Sequence, residues 1–333
     1  MNHQKPLLAI TMGDAAGSGA EIITKALPDP EIIDICRLVV IGDAATMQAA
    51  FKLTGAPGEV RGINALAEAK FEKGVVDVID LKNIDLAKLK YATISAMTGK
   101  AAFEYIDMAI KLALAREVDA MVTSAINKES LNQGGYHYDG HTEILAEKCK
   151  ATDVAMMLTS PKIRVSHVTT HVSLSRAIEI ISTKRIATVI RLTDSATRQM
   201  GVEKPRIAVS GLNPHSGEHG LFGDEEERII SPAIKQTFDE GIDVTGPYPP
   251  DSVFYRASRG QFDATVAMFH DQGHIAIKML GILDGVNVTL GLPIIRTSVD
   301  HGTNFGKAGK GTADPKSLIE AIKLATLMSH NRK

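Results

Sequence analysis

Short apolar runs alternate with longer amphipathic segments along the whole chain. Seven of these runs have the length and the Val, Ile and Leu content of buried strands, and they lie at 7–12, 38–41, 120–123, 154–158, 207–210, 264–269 and 286–290. The intervening segments carry apolar residues at helical spacing, as in 99–117, where Ile106, Ala109 and Ile110 share one stripe. This alternation predicts an α/β fold around a mainly parallel sheet.

The length of 333 residues is enough for two domains, but no repeat or low-complexity linker separates them. Two domains without a linker suggest that the chain crosses between them more than once. We therefore predict a first α/β domain from residues 1–128 plus 305–333, and a second from 129–304. The last helix is expected to begin with Asp314 as N-cap and Pro315 in its first turn.

The composition is that of an ordinary globular protein, with 44% hydrophobic residues, 23% charged residues and a net charge of −2. A near-neutral chain without clustered Lys and Arg has no basic field for nucleic acid or an anionic membrane, so neither is expected as a partner. Cys36 and Cys149 lack CxxC spacing, which suits a reducing compartment. No signal peptide or apolar run long enough to span a membrane is visible, so we expect a cytoplasmic protein.

Histidine is concentrated between residues 137 and 301, where four pairs are spaced by four residues. The pairs are His137/His141, His167/His171, His215/His219 and His270/His274. That spacing would put both imidazoles on one helix face, but three pairs follow short β-rich runs. We therefore expect these histidines at strand ends, where open parallel sheets place ligands. So many imidazoles favour a metal or proton-transfer site, although a hydrogen-bonded structural role remains the alternative for each.

Two polar loops precede predicted helices. The loop 13–21 is rich in glycine but matches neither the Rossmann nor the P-loop pattern, so a tight structural turn explains it as well as a binding loop does. Gly140-His141-Thr142-Glu143 opens another helix, which would place His141 and Thr142 at a positive helix end suited to an anion. Alternatively, Thr142 simply caps that helix.

Polar side chains of several kinds also follow one another near the end of the chain. Lys278, Asn287, Arg296, Asp300 and His301 supply a cation, an amide, a guanidinium, a carboxylate and an imidazole. Arg296 lies within the apolar run 293–299, so its guanidinium is expected to need a buried anionic partner.

Long motifs between Gly140 and Thr303 resemble the 4-hydroxythreonine-4-phosphate dehydrogenase family, and the resemblance covers almost the full chain. They are Gly140-His141-Thr142-Glu143, Gly211-Leu212-Asn213-Pro214-His215-Ser216-Gly217-Glu218, His270-Asp271-Gln272-Gly273, the segment 285–293 and the segment 295–303. The resemblance implies a fold similar to that of isocitrate and isopropylmalate dehydrogenases, with two α/β domains and a cleft between them. It also implies a homodimer whose active site is shared between the subunits.

The same resemblance implies the roles of individual residues. His171, His215 and His270 would bind one divalent cation (Zn, Co, Mn or Mg), with the third ligand coming from the other subunit. The implied substrate-binding residues are His141, Thr142, Lys278, Asn287 and Arg296, with Asp251 as a further active-site carboxylate. His301, Gly302 and Thr303 match the His-Gly-Thr of the cofactor loop in isocitrate and isopropylmalate dehydrogenases, which implies that they bind NAD. Lys278 is also our candidate for proton transfer, because neighbouring positive charge would lower its pKa. His137, His167, His219 and His274 receive no role.

The implied reaction is an NAD-dependent, metal-assisted oxidation and decarboxylation of a four-carbon 3-hydroxy acid 4-phosphate. Two departures bear on the substrate: Ala15, Ser18 and Ala20 replace Pro, Ile and Pro in the first loop, and Asp139 stands where the biosynthetic enzymes commonly have Ser. These departures favour the catabolic branch, which acts on D-threonate or D-erythronate 4-phosphate and yields dihydroxyacetone phosphate. The alternatives are 4-hydroxy-L-threonine 4-phosphate as substrate, or a sensor of sugar-acid phosphates without catalysis.

Overall fold

A computed structural model describes residues 5–281 and 285–332. Its strands are β1 Leu7–Thr11, β2 Arg37–Gly42, β3 Glu59–Ile63, β4 Val75–Asp80, β5 Ala120–Thr123, β6 Ala155–Thr159, β7 Arg164–His167, β8 Ile207–Ser210, β9 Val244–Tyr248, β10 Ala264–Ala267, β11 Val286–Leu290 and β12 Ile295–Val299. Its α-helices are α1 Gly19–Ala26, α2 Pro30–Ile35, α3 Ala44–Thr54, α4 Ala96–Leu114, α5 Lys128–Gln133, α6 His141–Lys148, α7 Leu174–Ile180, α8 Thr183–Gln199, α9 Ser231–Asp239, α10 Pro250–Ser258, α11 His270–Leu280 and α12 Lys316–His330. All seven predicted strands are confirmed, and the chain has the predicted α/β fold.

The chain forms two compact units. The first runs to Thr152 and resumes at Leu292–His330, whereas the second consists of Asp153–Gly291 and the residues after His330. The chain thus passes between these units more than once, at bounds that differ from those predicted near 128 and 304. Among the described residues, no helix has the length and apolar character needed to cross a membrane.

The first unit keeps residues 129–152 because the segment after β5 packs tightly on α4. A Cβ atom on Gly99 of α4 would lie only 1.8 Å from the carbonyl oxygen of Ser130 in α5. The rings of Phe103 and Tyr136 stack with their centroids 3.6 Å apart. At the other boundary, β12 belongs to the first unit because it pairs in parallel with β5.

The sheet of the first unit has the strand order β3-β4-β2-β1-β5-β12, and all of its pairs are parallel. Its central strand β1 is buried along its whole length. An uninterrupted apolar strand such as Leu7–Thr11 is typical of a parallel sheet covered on both faces. The loops that carry Gly17 and Gly302 both follow strands of this sheet, after β1 and β12.

The sheet of the second unit has the order β11-β6-β7-β10-β8-β9, in which β6 is antiparallel to both neighbours and the other pairs are parallel. Its core includes Leu158, Val165, Ala208, Val253 and Ile277. Because β7, β10 and β8 are parallel neighbours, their carboxyl ends meet at one edge of the sheet. The loops that contain His171, His215 and His270 all leave from this edge, as the sequence predicted.

Candidate active site

His270 is the first residue of α11, shortly after the end of β10. The ring of His274, one turn later, stacks on that of His270 with the centroids 3.7 Å apart and an interplanar angle of 13°. Nδ1 of His270 lies 2.6 Å from a carboxylate oxygen of Asp271. The expectation that the paired histidines do not share a helix face is wrong here, because the strand end leads at once into a helix.

His167, the last residue of β7, is fully buried beneath this stack. Its Nε2 lies 3.1 Å from Nδ1 of His274, and its Nδ1 lies 3.4 Å from the carbonyl oxygen of Met156. Since a carbonyl oxygen only accepts, His167 carries its proton on Nδ1 and accepts from His274 on Nε2. Burial, with a smaller effect from neighbouring histidines, lowers the pKa of His167 to about 3 and that of His274 to about 4. Both imidazoles are therefore neutral near pH 7.

The predicted metal ligands are only partly assembled within one chain. The ring centroid of His171 lies 5.7 Å from that of His270. His215 lies in another loop, where its ring neighbours the Phe222 ring at 6.1 Å. Within residues 5–281 and 285–332, no group of three or more His, Cys, Asp or Glu side chains is arranged to hold a metal ion. One chain therefore brings His171 and His270 together without completing a site.

The loop of His215 has an unusual left-handed backbone. His215 and Ser216 have φ values of 53° and 56°, and Glu218 and His219 follow with 42° and 57°. Non-glycine residues in this region are strained by about 1–2 kcal/mol each, so the surroundings must hold the loop in place. The buried carboxylate of Glu226 does so by accepting hydrogen bonds from the backbone N–H groups of Leu212 and Asn213 at 2.8 and 2.7 Å.

In the first unit, Arg296 of β12 is buried, and its Nε and Nη2 donate to the hydroxyl of Thr123 at 3.2 and 2.7 Å. Burial lowers the pKa of Arg296 to about 9, which still leaves the guanidinium charged at neutral pH. His141 stands at the N-terminus of α6, as predicted. Burial, and secondarily the charge of Arg296, lowers the pKa of His141 well below its usual value.

Two predicted substrate-binding residues carry buried polar atoms with no hydrogen-bond partner among the described residues. These atoms are Nε2 of His141, in the first unit, and Oδ1 of Asn287, in the second. Buried polar atoms are nearly always hydrogen-bonded, and leaving one unsatisfied costs about 1–3 kcal/mol. Such atoms are typical of positions where a ligand supplies the missing partner.

The other predicted residues lie on helices and are more accessible. Lys278 is exposed on α11, two turns after His270 on the same helix face. Asp251 is exposed in the first turn of α10. Thr142 is half-buried in the first turn of α6, where Gly140 is the N-cap and no side chain caps the helix. The alternative interpretation of Thr142 as a simple cap is therefore not supported.

The loop 13–21 contacts the predicted cofactor motif of the first unit. The backbone N–H of Ser18 donates to the carbonyl oxygen of Thr303 at 3.0 Å. A Cβ atom at Gly17 would lie 2.7 Å from that oxygen, so glycine permits the close approach. The buried carboxylate of Glu21 accepts from the N–H groups of Gly309 and Gly311 at 2.6 and 2.8 Å. The loop is thus a tight turn, and it also fixes the segment that follows His301 and Gly302.

Asp139 precedes the His141 helix and forms an ion pair with Lys128. Both side chains are largely exposed, so this carboxylate already has a basic neighbour in the folded chain.

Sequence reasoning did not identify His167, His274, Glu226 or Glu21 as parts of these arrangements. The spacing of His270 and His274 was the available signal for one of them. The others are recognised only through contacts between segments distant in sequence, which periodicity does not report.

Comparisons with known proteins show which family the chain resembles. The family model described as pyridoxal phosphate biosynthetic protein PdxA matches residues 34–325. The chain is 47% identical to D-threonate 4-phosphate dehydrogenase of Cupriavidus necator over 334 residues, covering 100% of both proteins. It is 44% identical to 4-hydroxythreonine-4-phosphate dehydrogenase of Desulforapulum autotrophicum, covering 99% of this chain and 97% of that protein.

Among solved structures, the chain resembles 4-hydroxythreonine-4-phosphate dehydrogenase from Klebsiella pneumoniae with a TM-score of 0.89 and 44% identity, covering 98% of this chain and 100% of that one. Family model, relatives and solved structure cover nearly the same length and are consistent with one another. The chain therefore belongs to the PdxA family and is an oxidoreductase of the dehydrogenase type.

Proposed function

We propose that the protein catalyses the NAD-dependent, divalent-metal-assisted oxidation and decarboxylation of D-threonate 4-phosphate or D-erythronate 4-phosphate. Oxidation at C3 gives a β-keto acid, which loses C1 as carbon dioxide and leaves dihydroxyacetone phosphate. The observation that carries the proposal is the pair of unsatisfied buried atoms, Nε2 of His141 and Oδ1 of Asn287, because the family resemblance assigns both residues to the substrate.

For the metal, we propose His171, His215 and His270 as ligands of one cation. The donor chemistry fits: Nδ1 of His270 faces the Asp271 carboxylate, the usual arrangement when Nε2 of a histidine is a metal ligand. Three imidazoles leave further positions open for substrate oxygens. A Zn, Co, Mn or Mg ion there would supply Lewis-acid stabilisation of negative charge on the C3 oxygen.

The incomplete ligand set of one chain supports a homodimer, in which the partner subunit contributes the third ligand. Large apolar side chains are exposed beside the histidines in sequence, including Ile275 with 62% and Met279 with 81% of its surface accessible. On α7 and just before it, Val172, Leu174 and Ile178 are also exposed. Exposed apolar groups of this kind are typical of subunit interfaces, and we propose that this surface contacts the second copy.

We propose that Arg296 and Lys278 bind the negative charge of the phosphorylated substrate, together with His141, Thr142 and Asn287. The fixed orientation of Arg296 on Thr123 suits a planar, multidentate contact with an oxyanion. Because His141 is neutral, it can donate or accept a hydrogen bond without adding charge. Lys278 is the proposed proton-transfer group, and Asp251 the further active-site carboxylate.

NAD is proposed to bind beside His301, Gly302 and Thr303, where it accepts the hydride released from C3. The segment is held by the Ser18 N–H and, farther along, by Glu21, so its backbone is preorganised.

The two thiols of Cys36 and Cys149 are free, which suits the reducing cytoplasm as the proposed location.

The choice of a sugar-acid phosphate over 4-hydroxy-L-threonine 4-phosphate as substrate rests on Asp139 and on the name of the Cupriavidus necator relative. A carboxylate that bound the C2 ammonium of 4-hydroxy-L-threonine 4-phosphate would need to be available for it, whereas Asp139 pairs with Lys128. The biosynthetic substrate is the alternative, and a non-catalytic sensor is the alternative of another class.

An absorbance assay for NADH at 340 nm with the three phosphates and each divalent metal tests the proposal. We expect NADH with a sugar-acid phosphate and a preference over the amino substrate of about 10⁴ or more in kcat/KM, because a site built to hydrogen-bond one C2 group rejects the other. A preference for 4-hydroxy-L-threonine 4-phosphate would instead assign the biosynthetic reaction to the enzyme. No NADH with any of the three would favour the sensor.

A further inference from the structure

Gln272 connects the two loops that carry His215 and His270 within the second unit. Its Oε1 accepts a hydrogen bond from the backbone N–H of Met268 at 2.7 Å. Its Nε2 donates to the carbonyl oxygen of Gly211 at 2.8 Å. Met268 lies two residues before His270, and Gly211 lies four residues before His215. One amide therefore joins the segments that lead into both imidazoles.

The chemistry of this bridge requires a side-chain amide. The N–H of Met268 can only donate and the carbonyl oxygen of Gly211 can only accept, so one neutral group must present both an acceptor and a donor. A glutamate would keep the acceptor but would place a second oxygen against the carbonyl of Gly211. A methionine at position 272 would keep the length of the side chain and lose both hydrogen bonds.

The two loops depend on such a connection because the sheet alone does not fix them. β8 and β10 pair in parallel, which sets the spacing of their ends but not the path of the residues beyond. After β8 the backbone turns into the strained left-handed conformation of His215 and Ser216. Glu226 holds the His215 loop to the segment just before α9, whereas the Gln272 bond from Nε2 holds it to the start of α11.

We propose that Gln272 is a positioning residue, which fixes the segments that carry two proposed metal ligands, His215 and His270, without touching the metal or the substrate. The inference rests on the proposed function, since it takes both histidines as metal ligands. Loss of groups that orient metal ligands typically weakens metal affinity by about 10–100-fold. We therefore expect at least about tenfold weaker cation binding when the bridge is broken.

The full-length protein, stripped with a chelator, would be titrated with Co²⁺ while its d–d absorption and the heat of binding are followed. The test variants are Gln272→Met and Gln272→Glu, and the matched control is Gln236→Met on the exposed surface of α9. We expect about tenfold or greater loss of Co²⁺ affinity in both test variants and an altered d–d spectrum, with no change in the control.

Gln272→Glu separates the bridge from a merely local role at the helix start. Glutamate keeps the acceptor for the Met268 N–H and suits the N-terminal turn of α11, so the metal-free variant should fold, with a urea unfolding midpoint lowered only by the lost bond to Gly211. Its added negative charge attracts cations, so charge does not explain weaker binding.

Wild-type Co²⁺ affinity in either Gln272 variant would overturn the inference, because the bridge to Gly211 would then have no effect on the ligands. If the unsubstituted protein itself binds no Co²⁺, the proposed metal function is wrong, and the inference about Gln272 is wrong as well. These two failures are distinguishable, since only the second removes binding from the parent protein and the Gln236→Met control.

Discussion

His167 and His274 share a hydrogen bond of 3.1 Å that joins the end of β7 to α11. Both pKa values, about 3 and about 4, lie below the ordinary histidine value of 6.5 because burial disfavours the charged ring. As the pH falls below 6.5, the unfolded chain therefore binds more protons than the folded chain. The stability that these groups contribute is complete above pH 6.5 and is lost as the pH falls toward their folded-state values.

We expect the free energy of unfolding of the metal-free protein to fall by about 2 kcal/mol per buried histidine between about pH 7 and about pH 5. Urea denaturation at a series of pH values measures this fall in the free energy of unfolding. His167→Phe removes one proton uptake and should have a shallower pH dependence, whereas His330→Gln at the exposed end of α12 should behave like the parent. Identical pH profiles for the parent and His167→Phe would contradict the assignment.

Replacing His171, His215 or His270 with alanine should remove both bound metal and chelator-sensitive activity. The physical reason is that a cation held by three imidazoles loses a third of its protein ligands with each substitution. Metal content of the purified protein, measured by atomic emission, is the direct readout. Undiminished metal in all three variants would show that these histidines are not the ligands.

Lys278→Ala should lower kcat by about 10²-fold or more if the ammonium transfers a proton in the reaction. The side chain is exposed on α11, so the substitution should leave the fold intact. Lys235→Ala on α9, which removes an exposed lysine paired with Asp239, is the matched control. A variant that keeps its turnover and only raises KM would reduce Lys278 to a phosphate contact.

Glu21→Gln should loosen the segment after the proposed NAD loop. Both oxygens of this carboxylate accept backbone N–H groups, so an amide would turn a donor toward one of them. We expect a loss of about 1–3 kcal/mol in the free energy of unfolding and a higher KM for NAD. Glu31→Gln, at an exposed carboxylate paired with Lys323, is the control. An unchanged KM for NAD would separate Glu21 from the cofactor.

Asp139→Asn should leave the order of preference among the three phosphates unchanged, because this carboxylate pairs with Lys128 and we propose that it does not bind the C2 group. The ratios of kcat/KM, measured side by side, decide the matter. A shift of about tenfold, equivalent to 1.4 kcal/mol, in favour of either the acid or the amine would place Asp139 at the substrate.

The sequence predicted seven of the strands and missed others, among them the edge strands β3 and β9. β8 and β11 occur at the predicted bounds because both are rich in the apolar and β-branched residues typical of buried strands. The strands β3 and β9 lie at sheet edges and contain Gly62, Gly246 and Pro247, which weaken a strand pattern. Their existence depends on a neighbouring strand, which local propensity does not report.

For the site, the resemblance named candidate residues, and the strand pattern correctly predicted that His171, His215 and His270 follow strands that meet at one sheet edge. The sequence could not predict that the rings of His270 and His274 would stack, because α11 begins shortly after the end of β10. Nor could it predict the bridge of Gln272 to Gly211, which spans 61 positions of the chain. Contacts of this kind arise from the tertiary fold and not from spacing.

Because β12 follows the second unit in the chain, the sheet of the first unit can be completed only near the end of synthesis. β5 leaves the ribosome long before its parallel neighbour β12, and all of Asp153–Gly291 is translated between them. The nascent first unit therefore carries an open strand edge while the second unit already has its whole sheet. An unprotected edge of this kind invites association with other chains, so the nascent protein is most exposed to aggregation until Ile295–Val299 has been made.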